Sequence, residues 1–230
     1  MPHSKSAQQA QADIPSTNPN VQRFENAAGL WDTNPSRAEL ARHIVHLAER
    51  EMAGFTAPRI MDYGCGTGMC SIPLTSHALS VLAVDISPAM LEEVQKKASA
   101  LGLSNIATLR HDLAMEPLEG REFDVIITAM AMHHVKEVAL VLERFRPLLA
   151  ANGVLLVADL DREDDSFHQD PTGVEHHGFK RDWILNALWG AGFRMVSVDT
   201  AYTLTRPNGV NGAPKDYPVF FMAARIRPPQ

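Results

Sequence analysis

A chain of 230 residues with 45% apolar side chains is long enough to bury a core within one domain, and it contains no apolar run of the length a membrane-spanning helix needs. A formal net charge of -6 leaves no broad cationic surface, so nucleic acid is not expected as a partner. The two cysteines, Cys65 and Cys70, share one glycine-rich segment, where a disulfide would clamp a turn that must admit a ligand; free thiols and a reducing, cytoplasmic compartment are expected.

Residues 1–20 are polar, rich in Ser, Gln, Asn and Pro, and lack the apolar stretch of a secretion signal; they read as a disordered tail. Residues 21–57 read as a helical segment. In it Ser36-Arg37-Ala38-Glu39 has the capping-box pattern, and Leu40, Ile44, Leu47 and Ala48 follow at helical spacing. From 58 to 228 apolar strands and amphipathic helices alternate as one domain. Strands are expected near 58–63, 80–85, 106–109, 123–128 and 153–158. The helix after the first strand should run to about residue 77. The next opens at Ser87-Pro88 and buries Met90, Leu91, Val94 and Ala98, and a later one carries Val138 to Leu149. Trp183, Ile184, Ala187, Leu188 and Ala191 mark a last helix. Two strands follow near 195–198 and 219–223, joined by a Gly/Pro/Asn-rich loop at 206–217; with no helix between them they can pair antiparallel. The alternation predicts an α/β fold, a mainly parallel sheet covered on both faces.

The first strand ends in Asp62-Tyr63-Gly64-Cys65-Gly66-Thr67-Gly68. Glycine at alternate positions lets main-chain N–H groups approach a ligand above the strand. The dinucleotide fingerprint G-x-G-x-x-G would require glycine at position 69, which is Met69, and no lysine follows to hold a triphosphate. Asp85 closes the second strand 17 residues after Gly68 and suits the ribose hydroxyls of any nucleoside cofactor. A nicotinamide-dependent oxidoreductase therefore stays open as an alternative, as does a non-catalytic cofactor-binding protein.

The glycine run resembles the first motif of the class I S-adenosylmethionine-dependent methyltransferases, acid-x-G-x-G-x-G, and the likeness extends over about residues 58–160. It implies a Rossmann-like three-layer sandwich whose seven-stranded sheet ends in an antiparallel strand, and S-adenosyl-L-methionine as cofactor. The cofactor residues it implies are Asp62, Gly64, Cys65, Gly66, Asp85, Ile86, Asp112, Leu113, Ala129 and Met130. Asp112 would meet the adenine amino group, and the Leu113 N–H a ring nitrogen. The pair His133 and His134 after the fourth strand supplies candidate catalytic groups, required only if the acceptor arrives protonated. The resemblance also implies that the N-terminal segment, with Trp31, covers the site.

The fourth strand lacks the Asn/Asp-Pro-Pro-Tyr/Phe signature of amino-group methylation, and no Pro-Cys nucleophile is present. A small-molecule acceptor is expected, and the chain is similar to the methyltransferases of ubiquinone and menaquinone biosynthesis. Substrate contacts are expected from Trp31, Asp159 and His177, within or near a polar stretch that also holds Asp161, Glu163, Asp164, Asp165, His168, His176 and Arg181. No metal is expected, because these acids and histidines lack H-E-x-x-H or paired-cysteine spacing.

Overall fold

Successive residues of a strand point to opposite faces, and here that alternation feeds two separate cores. The computed structural model describes residues 18–207 and 212–228. In chain order its elements are α1 (Pro19–Ala27), α2 (Pro35–Met52), β1 (Arg59–Tyr63), α3 (Ser71–Leu74), β2 (Ser80–Asp85), α4 (Pro88–Ala100) and β3 (Ile106–Arg110). They continue with β4 (Phe123–Ala129), α5 (Val138–Phe145), β5 (Leu149–Leu160), α6 (Arg181–Gly190), β6 (Phe193–Pro207) and β7 (Pro214–Ile226). The strands form one seven-stranded sheet in the order β3-β2-β1-β4-β5-β7-β6. Every pair from β3 to β5 is parallel; β7 runs antiparallel to both β5 and β6.

Met61, Ile126, Leu155, Phe220 and Met222 face the core closed by Phe145 and Val141 of α5 and by Ile184 and Leu188 of α6. Their neighbours Ile60, Val125, Ile127, Leu156 and Phe221 face the other way, against Leu40, Ile44 and Ala48 of α2 and Leu74 of α3. Leu91 and Val94 of α4 cover Ala83 and Cys65. Each large apolar side chain sealed in this way contributes about 1.5–3 kcal/mol. At the foot of the sheet Arg59 ties β1 to β4: its guanidinium meets both Asp124 oxygens at 2.9–3.0 Å and Glu122 at 3.0 Å.

The strand order reverses between β1 and β4. The connections leaving those two strands diverge to opposite faces, which opens a crevice beyond their carboxyl ends.

Several sequence expectations shift at their edges. Helix α2 is capped by Asn34, whose Oδ1 accepts from the Ser36 amide at 3.0 Å, and Ser36 lies inside the first turn. Pro35 causes the displacement, since its fixed φ and missing N–H suit the first helical position, which leaves the cap to the residue before it. Glu39 pairs with Arg42 at 2.7 Å and closes no capping box. The expected tail falls on residues 1–17, outside the described residues, and on 18–20, where Asn18 caps α1 and Pro19 begins it. The helix after β1 is a single α turn that tightens to 3-10 geometry by His77. Strands β6 and β7 run on to Pro207 and from Pro214, so both ends of the loop expected at 206–217 are strand, and its positions 208–211 lie outside the described residues. No helix among the described residues is long and apolar enough to cross a membrane.

The displaced cap is testable by urea denaturation: Asn34→Ala should cost about 1 kcal/mol, whereas Ser36→Ala should stay within about 0.5 kcal/mol.

Candidate functional site

The glycine turn after β1 sits against the turn after β4. Gly64 has φ +71°, and a Cβ placed on it would lie 2.3 Å from the Ala131 Cβ, so no side chain fits there. Across the approach, Met130 takes φ +55°, a left-handed conformation that costs a non-glycine residue energy, held by its amide bonding to the Ala158 carbonyl at 2.8 Å. The turn is fastened from β2 as well. Asp85 accepts from the Gly66 amide at 2.8 Å through one oxygen and from the Ser87 amide at 2.9 Å through the other. Burial pushes the Asp85 carboxyl upward, and the Ser87, Gly66 and Ile86 amides oppose that shift.

Beyond these turns lies a cavity of about 660 Å³, within the range of small-molecule sites. Asp62, Gly64, Cys65, Gly66, Asp85, Ile86, Asp112, Ala129, Met130, His133, His134 and Trp31 all line it. Three expected residues do not. The Leu113 side chain is fully buried in the core beside Tyr63. Asp159 is fully buried behind His133, and His177 pairs with Glu163 at 3.2 Å and Asp165 at 3.3 Å, away from the cavity wall. Glu163, Asp165 and His177 are the set among the described residues whose possible metal-ligand atoms converge within 4.8 Å. Glu163 also accepts from the Ser166 and Phe167 amides at 2.8 and 3.1 Å, which orients the chain leading into His168. Arg181 is bound to Asp161 at 2.6–2.7 Å and takes no part in the wall.

Asp159 has a role that its sequence position did not disclose. One of its oxygens receives His133 Nδ1 at 2.6 Å and the Leu160 amide at 2.7 Å; the other receives the His133 amide at 3.1 Å. A carboxylate acceptor puts the proton on Nδ1, so Nε2 carries the lone pair of a ring that lines the cavity. His134 donates from Nδ1 to the Gly173 carbonyl at 2.8 Å, and burial with the neighbouring His133 drives its pKa down to about 2. His168 completes the group, its ring 5.1 Å from His133 and 5.7 Å from His134. Burial holds its pKa near 3, and its Nε2 is buried with no hydrogen-bond partner among the described residues.

The N-terminal segment crosses the cavity and is pinned on both sides. Asp32 accepts from Thr67 at 2.5 Å and pairs with Lys97 of α4. Asn20 reaches the His134 carbonyl at 3.3 Å, and Arg23 the Thr172 carbonyl at 2.6 Å. Phe24 packs edge-on against both Trp31 and His134, and the Trp31 indole nitrogen lies 4.0 Å from where a Gly66 Cβ would stand. Arg23, Phe24, Arg37, Phe167 and Arg206 also line the cavity. None of them has a spacing signal; they come from α1, α2, the loop after β5 and the end of β6, and only the tertiary fold assembles them.

The sheet order, the reversed β7 and a cofactor-sized crevice at the switch point define the class I S-adenosylmethionine-dependent methyltransferase fold. Residues 60–153 match the family described as "Methyltransferase domain". It is 30% identical over 154 residues to an uncharacterized methyltransferase of Schizosaccharomyces pombe, covering 60% of this chain and 54% of that one. It is 32% identical over 141 residues to the ubiquinone biosynthesis O-methyltransferase of Azorhizobium caulinodans, covering 61% and 54%. The chain thus spans about half the length of these two curated relatives. Among solved structures, the complex of DhpI with SAH superposes with a TM-score of 0.70 at 20% identity, covering 91% of this chain and 96% of that one.

Asp62 gives the site a pH signature. It is 1% exposed, accepts from Ser71 Oγ, and burial raises its pKa to about 7. The unfolded carboxyl titrates near 4, so the folded state alone holds the proton between about pH 4 and 7 and stability falls as pH rises through that window. Asp62→Asn lacks this loss: on going from pH 5 to pH 8, denaturation should show it gaining on the wild type by on the order of 3 kcal/mol.

Proposed function

We propose that the cavity binds S-adenosyl-L-methionine along the β1, β2 and β3 ends and that the chain transfers its methyl group to the hydroxyl of a small molecule. When bound, the cofactor supplies a methyl group already activated by a sulfonium centre. The residues present fit it. Asp85 and Asp112 present carboxylate acceptors to the cavity, as ribose hydroxyls and an adenine amino group require. Ile86, Met90 and Ala114 offer apolar walls to a flat ring between them, and the side-chain-free face of Gly66 leaves room beneath Trp31.

The observation that carries the hydroxyl reading is that His133, in the wall of the same cavity, is paired from behind with the buried Asp159. Asp159 fixes the tautomer that makes Nε2 a proton acceptor, and it offsets the charge that arises when the imidazole takes a proton. Such a base serves an acceptor that arrives protonated. The O-methyltransferase relatives are consistent with an oxygen acceptor, and the apolar body of the cavity with a ring-bearing one. The protein's own work is to hold the two reactants in line, exclude water beneath the N-terminal cover, and receive the acceptor proton at His133.

Two measurements test this. Calorimetry should give a micromolar dissociation constant for S-adenosylhomocysteine, about 8 kcal/mol, weakened at least tenfold by Asp85→Ala; no binding to the wild type overturns the assignment. In a turnover assay following S-adenosylhomocysteine release from phenolic acceptors, His133→Ala should lower kcat by about 10²–10⁴-fold with cofactor affinity retained. Asp159→Asn should also lower kcat and should shift the pH profile. Unchanged kcat in His133→Ala would remove the general base from the mechanism.

A further inference from the structure

The cavity is unequal in charge. Asp62, Asp85 and Asp112 lie at the strand ends, whereas Arg23, Arg37 and Arg206 come from the helices, loops and strand β6 that close the rest of the wall with the three imidazoles, Lys136 and one acid, Glu175, whose amide bonds to the His133 carbonyl. Among the described residues none of the three arginines has a carboxylate within 4 Å, although most of the chain's other arginines that form ion pairs do so at its surface. Their contacts are to neutral groups. Arg206 lies over the Phe167 ring at 4.2 Å, Arg37 over the Trp31 ring at 3.7 Å, and Arg23 donates to a main-chain carbonyl. Burial and mutual repulsion act together here: Arg37 is held below the ordinary guanidinium range by burial, then by Arg206 and Arg23. Asp32 acts on Arg37 and Asp170 on Arg23 without forming an ion pair, and no carboxylate among the described residues acts on Arg206. Half-buried guanidinium groups crowded together with so little direct pairing cost stability unless a ligand supplies further negative charge.

The cofactor accounts for one of them. S-adenosylmethionine carries a single carboxylate, and Arg37, stacked on the Trp31 that lies over Gly66, is the arginine on the glycine-turn side. Arg206 and Arg23 remain. Both act electrostatically on His168, which sits against Phe167 with ring centroids 4.8 Å apart and presents the unpartnered, buried Nε2. His168 in turn lies beside His133, so an anion held here would sit next to the proposed base.

We propose that the methyl acceptor is itself an oxyanion, an apolar-bodied molecule whose carboxylate or phosphonate group is bound by Arg206 and Arg23 beside His168 while its hydroxyl faces His133. The inference rests on the methyl-transfer reading for the role of the hydroxyl, but the anion subsite is tested without turnover. Benzoate, phenylphosphonate and neutral benzamide are titrated calorimetrically into the full-length protein, with and without saturating S-adenosylhomocysteine. Benzoate or phenylphosphonate should bind at least tenfold more tightly than benzamide, and whichever anion binds better identifies the acceptor group as carboxylate or phosphonate. Arg206→Gln and Arg23→Gln should each weaken anion binding at least tenfold, with thermal unfolding confirming that each variant is folded. Equal binding of benzamide and both anions, or undiminished anion binding by both variants, overturns the proposal. Failure of S-adenosylhomocysteine to bind while the anions still do would count against the methyltransferase reading alone.

Discussion

Everything at this site depends on how closely two backbones pass at the point where the strand order reverses. The turn after β1 can lie against the turn after β4 only because Gly64 has no side chain to meet Ala131 and can hold a positive φ. That contact fixes where the glycine turn faces. Asp85 then fastens the turn's Gly66 amide from the neighbouring strand, so three consecutive strands in space, β2, β1 and β4, determine one surface. The left-handed Met130 is part of the same packing: the chain must turn sharply to clear Gly64, and the Ala158 carbonyl of β5 holds it in the turned state. A fourth strand is thereby bound into the arrangement.

The two halves of the cavity follow from two different sources of structure. The acidic half is built on strand ends, whose positions are set by the register of a parallel sheet and whose carboxylates are held by main-chain amides. The cationic and imidazole half is built from helices, loops and the far end of β6, elements joined mainly by side-chain contacts. A rigid platform for a common cofactor and a more variable wall for a particular acceptor is a division that lets one fold serve many chemistries.

That division also governs what could be read from the sequence. Asp62, the glycines and Asp85 were legible because each closes an apolar run, and strand ends collect on one side of a parallel sheet; Asp112, set off from its strand by Arg110 and His111, was legible only through the family resemblance. The β7 reversal was legible because no helix separates it from β6. The α2 cap was misplaced because the capping-box pattern at Ser36 ignores the stronger constraint of Pro35 one position earlier. Asp159 was visible as a residue at the end of β5, but its partnership with His133 depends on β4 and β5 being neighbours, which alternation alone does not specify. Arg23, Arg37 and Arg206 lie in three distant segments with no shared spacing, and only the folded sheet and its cover bring them to one cavity.

The placement of the two thiols has a kinetic consequence. Cys65 and Cys70 are both free and both buried, within the glycine turn and under the N-terminal segment that Asp32 and Asn20 hold down. Burial also raises both thiols well above their ordinary pKa, which keeps them in the less nucleophilic protonated form. Both thiols border the cavity, so whatever occupies it stands between them and a thiol reagent. The rate at which these cysteines are modified therefore reports how much of the site is filled, without any probe being added to it.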